Sequence, residues 1–246
     1  MSAPTWTPTA LSSEARPWQG AGWRAVEAQH KVATMALVQG DLVDQALLED
    51  ILDAAKPHLP RDAAGLHWLL ATPFRYWPRP PSGSRFRAIT HPGVFYGADD
   101  EQTACAECGY WRLRFWQDSA GLAEREAAIP ITLFQFHGAT QRALDLTQPP
   151  LDADRSHWTS PDDYTATQQL AGHARQADIA LIRYQSVRHP AGTCLAILTP
   201  QVFKGVGKPF RNVQHSWTLW LKPSGTTIWQ RELTDESFVF HFSGTR

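Results

Sequence analysis

The amino-acid sequence predicts an α+β fold built on a mixed sheet. Two observations about pattern lead there: helix-like spacings of apolar residues come first in the chain, and strand-like runs dominate the second half. A third is composition. The 246 residues are 43% hydrophobic and 19% charged, the make-up of a folded chain long enough to bury a large core. The 11 tryptophans add bulk for cores and interfaces, and the 18 prolines fix many turns.

The elements follow in order. Residues 1–20 read as an extended arm held by Trp6 and Trp18. Trp23, Val26, Val32, Met35, Leu37 and Val38 predict a first helix that breaks near Gly40. Asp41 is placed to cap a second helix carrying Leu42, Val43, Leu47, Leu48, Ile51 and Leu52, which Pro57 and Pro60 end. A short apolar element over His67–Thr72 leads into a proline-rich loop, residues 75–84. Gly93–Ala98 reads as a short strand, and Asp99 or Asp100 caps a helix from Glu101 to Trp116. Strands are expected at Ile131–Phe136, Arg142–Leu146, Ile179–Tyr184, Cys194–Leu198, Ser216–Leu221, Thr227–Arg231 and Phe238–Phe242. A helix over Ser160–Gln176, capped by Thr159 or Ser160, lies between them.

Several functional classes are disfavoured. Lys+Arg number 23 against 24 Asp+Glu, a net charge of −1, so no basic excess marks a direct nucleic-acid or membrane-surface binder. Little net charge also means little repulsion between copies, which leaves a homodimer or a partner protein open. No apolar run reaches the ~18 residues of a membrane span, and no basic stretch followed by an apolar one opens the chain. Three cysteines fit a reducing cytoplasm better than a disulfide framework.

Four places carry candidate chemistry. In Gly83-Ser84-Arg85-Phe86-Arg87, two arginines stand two apart beside a glycine; in an extended chain they share a side and suit a diphosphate. The same segment also reads as a solvated turn. Glu107 lies on the 101–116 helix among Ala104, Cys105, Ala106 and Cys108, where small neighbours allow close approach of a ligand. It equally fits a solvated stripe paired with Arg112 or Arg114. Cys105 and Cys108 form a Cys-x-x-Cys pair, but a structural zinc site needs four ligands and a redox pair sits at a helix start, so two small buried thiols are the better account. No metal is expected, because the ten histidines show no ligand spacing. Ser186 ends a strand-like run before the turn His189-Pro190-Ala191-Gly192 and is either a ligand contact or an ordinary turn serine.

The order and spacing of these segments are more specific than any one of them. Gly-Ser-Arg-Phe-Arg, then Pro-Gly-Val-Phe-Tyr, Thr-Ala-Cys-Ala-Glu and finally Tyr-Gln-Ser-Val-Arg resemble the RES domain, a family named for its Arg, Glu and Ser positions. These fall on Arg85, Glu107 and Ser186, with Tyr96 as the accompanying aromatic. The resemblance runs from about Arg75 to about Leu198, which divides the chain into a 1–70 arm with a helical extension and a 71–246 RES domain. Two positions depart from the usual pattern: Phe86-Arg87 replaces Trp-Asn, and Trp111 stands where a His is often found.

The resemblance implies a fold like that of diphtheria-toxin-type ADP-ribosyltransferases. It implies an enzyme that cleaves the nicotinamide–ribose bond of NAD+ with phosphate or water as acceptor, acting as a toxin paired with an Xre-type antitoxin that covers the site entrance. No cofactor beyond NAD+ itself is called for, and phosphate is a candidate co-substrate. Glu107 would stabilise the positive charge that develops on the ribose, as carboxylates do in glycoside cleavage. Arg85 and Arg87 would hold the diphosphate, Tyr96 the nicotinamide–ribose end and Ser186 the nicotinamide side, with Thr103 also in the binding set. The competing expectations are a protein ADP-ribosyltransferase with the same site, an interaction module that consumes no NAD+, and a zinc or redox protein on Cys105 and Cys108.

Overall fold

The computed structural model describes residues 6–28, 57–75 and 83–242, with the isolated positions 41, 43, 44, 47 and 51. The second helix expected after Asp41 therefore falls largely outside the described residues. At its start, Asp41 Oδ1 does accept the N–H groups of Val43 and Asp44 as a cap would.

The N-terminus differs from its sequence reading. Pro8–Ser13 forms a short helix, α1, whose N-cap Thr7 accepts from the Ala10 N–H. Arg16–Glu27, expected as arm and first helix, is instead a 12-residue strand, β1. Two glycines, Gly20 and Gly22, would each cost a helix about 1 kcal/mol relative to alanine. The long partner strand then decides the outcome, because β1 pairs antiparallel with β3 (Ala127–Asp145) from Arg16 opposite Ala143 to Glu27 opposite Ile131. β3 itself is one continuous strand where the sequence suggests two. The apparent break at Gly138 marks close packing: a Cβ there would come within 2.7 Å of Val202.

Helix α2 is Trp68–Arg75, followed by β2, Phe95–Ala98, and the long α3, Glu101–Asp118. After β3 come α4 (Arg155–Trp158) and α5 (Thr165–Gln176). α5 starts later than expected and neither Thr159 nor Ser160 caps it. Ser160 precedes Pro161, which disfavours helical geometry there, and its hydroxyl accepts from the Asp163 N–H in a turn instead. Strands β4 (Leu181–Gln185), β5 (Thr193–Ile197), β6 (Phe210–Lys222), β7 (Thr226–Arg231) and β8 (Ser237–His241), with the one-turn helix α6 (Gln201–Lys204), complete the described chain.

The strands form one mixed sheet in the order β1-β2-β5-β4-β3-β6-β7-β8, and the extra β1–β3 pairing closes its first five strands into a ring. The closure is narrow on the β1–β2 side, where Trp23 opposite Ala98 is the paired position. β4 and β3 run parallel and the other neighbours antiparallel. Phe95, Phe134, Phe136 and Phe203 fill one side of the core edge to face. Cys105, Ala106 and Leu113 of α3 bury a second side against Trp217, Leu219 and Trp229 of β6 and β7. Phe86, Trp158 and Tyr184 anchor a third.

Gly97 makes the ring possible at its narrow point. A Cβ on it would lie 2.5 Å from the Phe136 ring and 3.1 Å from the Trp23 carbonyl, and neither can move cheaply. Gly97→Ala is expected to cost roughly 1–3 kcal/mol, read as a lower midpoint in urea unfolding.

Candidate active site

The site is built on the first half of α3. Asp100 starts this helix, its Oδ1 accepting the Thr103 N–H at 2.7 Å and its Oδ2 the Thr103 hydroxyl at 2.8 Å. Glu101 in the first turn meets His215 of β6 at 2.9 Å. With the helix start fixed, Ala104, Glu107, Cys108 and Trp111 present one face to a cleft of about 460 Å³.

Glu107 is held from behind. Its Oε1 accepts the Ser186 hydroxyl at 2.6 Å, and the Cys194 thiol lies 3.8 Å away. Ser186 is fully buried, and its Oγ also accepts the N–H groups of Arg188 at 3.2 Å and His189 at 2.9 Å. With its lone pairs occupied, the hydroxyl proton points at the carboxylate. Ser186 therefore reaches the cleft through Glu107 and is not on its wall. Ser186→Ala is expected to leave two amides without their acceptor and the carboxylate free to rotate. A roughly tenfold fall in kcat with KM little changed would mark that positioning role, and an unchanged kcat would exclude it.

Arg85 and Tyr96 also line the cleft. Ser84 and Arg87 exchange backbone hydrogen bonds at 2.8 and 3.0 Å, closing a two-residue turn with Arg85 and Phe86 at its tip. Gly83 stands before it at φ +65°, and a side chain there would run into the Arg87 carbonyl. Phe86 is buried edge-on to Tyr184, with ring centres 4.7 Å apart. The Arg85 guanidinium donates to the carbonyls of Trp158 at 3.0 Å and Ser160 at 2.8 Å and lies 4.7 Å over the Tyr164 ring. The Tyr96 hydroxyl clamps the turn, 2.8 Å from Ser84 Oγ and accepting the Phe86 N–H at 3.0 Å. Burial raises the Tyr96 phenol above its ordinary range, so it stays protonated. The lining of one cleft thus includes a held carboxylate, a fixed guanidinium and a phenol.

A model of the RES domain matches residues 58–222. The chain belongs to the RES-domain family. No curated protein matches it in sequence. Among solved structures, it resembles one from the M. tuberculosis MbcT–MbcA toxin–antitoxin complex at 14% identity and a TM-score of 0.50, over 90% of this chain and 95% of that one. At that identity the likeness speaks for the fold.

Of the residues singled out from the sequence of this RES protein, Arg85, Tyr96 and Glu107 line one cleft, and Ser186 reaches it through Glu107. Two other residues singled out from the sequence lie elsewhere. The turn at 84–87 sends Arg87 away from Arg85, not to the same side, and its Nε donates to the His91 carbonyl at 3.4 Å. Thr103 is buried in the first turn of α3, tying Asp100 to His189 Nδ1 at 3.0 Å. The residues singled out for the site do not include Trp23 and Arg24 of β1, Tyr164 before α5, or Arg188, the last residue of the Tyr-Gln-Ser-Val-Arg segment, whose guanidinium lies 3.4 Å from the Tyr110 ring centre. Arg188 is two residues from Ser186 and was the most legible of these. Trp23 and Arg24 were hidden by reading their segment as helix.

Cys105, Cys108 and Cys194 are free thiols. Burial raises all three, Cys108 to about 11, so they are protonated at neutral pH. Ellman's reagent is expected to react slowly with the folded protein and rapidly with all three thiols in urea. Unfolded thiols ionise near pH ~8.5, so stability should fall as pH rises through about 9. Among the described residues, no helix is long and apolar enough to cross a membrane.

Proposed function

We propose that this RES protein is a toxin-type enzyme that cleaves the nicotinamide–ribose bond of NAD+ in the cytoplasm and is neutralised by an Xre-type antitoxin. The observation that carries the reading is Glu107, held by Ser186 in the lining of a cleft that Arg85 and Tyr96 share. When the C1′–N bond breaks, its electron pair goes to the nicotinamide nitrogen and positive charge develops on the ribose. A fixed carboxylate stabilises that charge. A phosphate oxygen then bonds to C1′, giving an ADP-ribosyl phosphate; with water as acceptor the products are ADP-ribose and a proton. Arg85 suits the diphosphate, because its guanidinium is already pinned by two carbonyls and loses little freedom on binding.

The partner reading rests on the neighbour, which was solved as a toxin–antitoxin complex, and on Trp111 and Phe115, exposed aromatics one helical turn apart on the cleft wall. The test is the purified protein with NAD+, with and without inorganic phosphate, analysed for nicotinamide and ADP-ribose products. NAD+ loss that needs phosphate identifies phosphorolysis, and loss without it hydrolysis. No release of nicotinamide under either condition refutes the reading.

A further inference from the structure

The turn between β4 and β5 grips α3 at two points one helical turn apart. The Ser186 hydroxyl meets Glu107 Oε1 at 2.6 Å, and the His189 ring meets Thr103 Oγ1 at 3.0 Å. Positions 103 and 107 lie on the same side of the helix. The turn is also closed on itself. The Ser186 N–H donates to the Gly192 carbonyl at 3.0 Å and the Gly192 N–H to the His189 carbonyl at 2.8 Å. Pro190 narrows the backbone freedom of His189. Gly192 lets the turn sit against the helix, since a Cβ on it would run into Thr103 Oγ1.

The hydrogens of these contacts can be assigned. The Thr103 hydroxyl gives its one proton to Asp100 Oδ2 at 2.8 Å, so towards His189 it can only accept. His189 Nδ1 therefore carries a hydrogen, in the neutral ring as in the charged one. The backbone N–H of His189 donates to Ser186 Oγ at 2.9 Å. A chain of four hydrogen bonds thus runs from Asp100 through Thr103, His189 and Ser186 to Glu107. The imidazole also packs edge-on to Phe240 of β8, with ring centres 6.2 Å apart. Thr103 is fully buried, so a ring that swung away would leave its hydroxyl oxygen short of a donor.

We propose that His189 is a positioning residue for the Glu107 carboxylate and acts through Ser186: its ring, fixed by Thr103, sets the backbone N–H that turns the Ser186 hydroxyl towards Glu107. That Glu107 is the working carboxylate rests on the proposed cleavage of NAD+; the hydrogen-bond chain does not.

His189→Ala, His189→Asn, Ser186→Ala and the double variant of His189→Ala with Ser186→Ala are compared with the wild type. Asparagine can present an amide N–H where the imidazole Nδ1–H stands. In His189→Ala, kcat for nicotinamide release is expected to fall about fivefold or more with KM little changed, and His189→Asn should recover most of it. The double variant should fall no further than Ser186→Ala alone, because both changes act through one hydroxyl. Hydrogen exchange at the Arg188 amide, which donates to Ser186 Oγ at 3.2 Å, reads the same chain without substrate. It should quicken about tenfold in His189→Ala, the size of one hydrogen bond, and stay slow in His189→Asn, while amides paired between β6 and β7 keep wild-type exchange. Unchanged kcat or unchanged Arg188 exchange in His189→Ala, losses that multiply in the double variant, no rescue by asparagine, or equal quickening across β6 and β7 overturns the proposal. So does a neutral His189 ring whose nitrogen NMR shifts place its hydrogen on Nε2. No nicotinamide release by the wild type sinks the NAD+ reading instead, and the Arg188 exchange and the His189 ring shifts then decide the proposal.

Discussion

Glu107→Gln is expected to reduce NAD+ turnover by more than about a hundredfold while leaving the fold intact. Glutamine keeps the side-chain shape, and its amide oxygen can still accept the Ser186 hydroxyl that meets Glu107 Oε1 at 2.6 Å. What it removes is the negative charge facing the ribose as the glycosidic bond opens, and charge stabilisation at that point is worth several kcal/mol in a shielded cleft. Because the carboxylate acts on charge that appears only in the transition state, the loss should fall on kcat more than on KM. Single-turnover release of nicotinamide measures it directly. Near-normal turnover with an unchanged urea midpoint would remove Glu107 from the mechanism.

The second large effect is expected at Arg85. Arg85→Ala takes away two hydrogen bonds to the carbonyls of Trp158 and Ser160 and the contact with Tyr164, together with the cation proposed to hold the diphosphate. The KM for NAD+ should rise about tenfold or more, and stability should fall by roughly 1–3 kcal/mol as the two carbonyls lose their donor. Arg85→Lys separates the two roles. It keeps a charge but is shorter and lacks the planar guanidinium whose Nη1 donates to both carbonyls and which lies over Tyr164, so it should recover part of the binding and less of the stability. A KM for Arg85→Ala equal to that of the wild type would mean that Arg85 only braces the 155–164 segment.

α3, β2 and most of the later strands are legible because each rests on local physics: a cap at Asp100, a turn before Phe95, and β-branched or aromatic runs of strand length. The grouping of Arg85, Tyr96, Glu107 and Ser186 is legible from the order and spacing of four short segments. The sequence by itself determined the α+β class, the family and the carboxylate on which the chemistry is proposed to turn. Only the tertiary structure decided the path of residues 16–27, because a strand's pairing energy comes from a partner more than a hundred positions away, and β3 outweighs the apolar spacing that suggested a helix. The separation of Arg85 from Arg87 was settled the same way: a closed turn replaces the extended geometry that two-residue spacing suggests. Ser186 became a support for Glu107 because burial and two backbone amides fix where its one proton points. Arg24 joined the cleft because closing the ring at Trp23 and Ala98 brings β1 against β2 and α3, a closure that no local pattern in the chain announces.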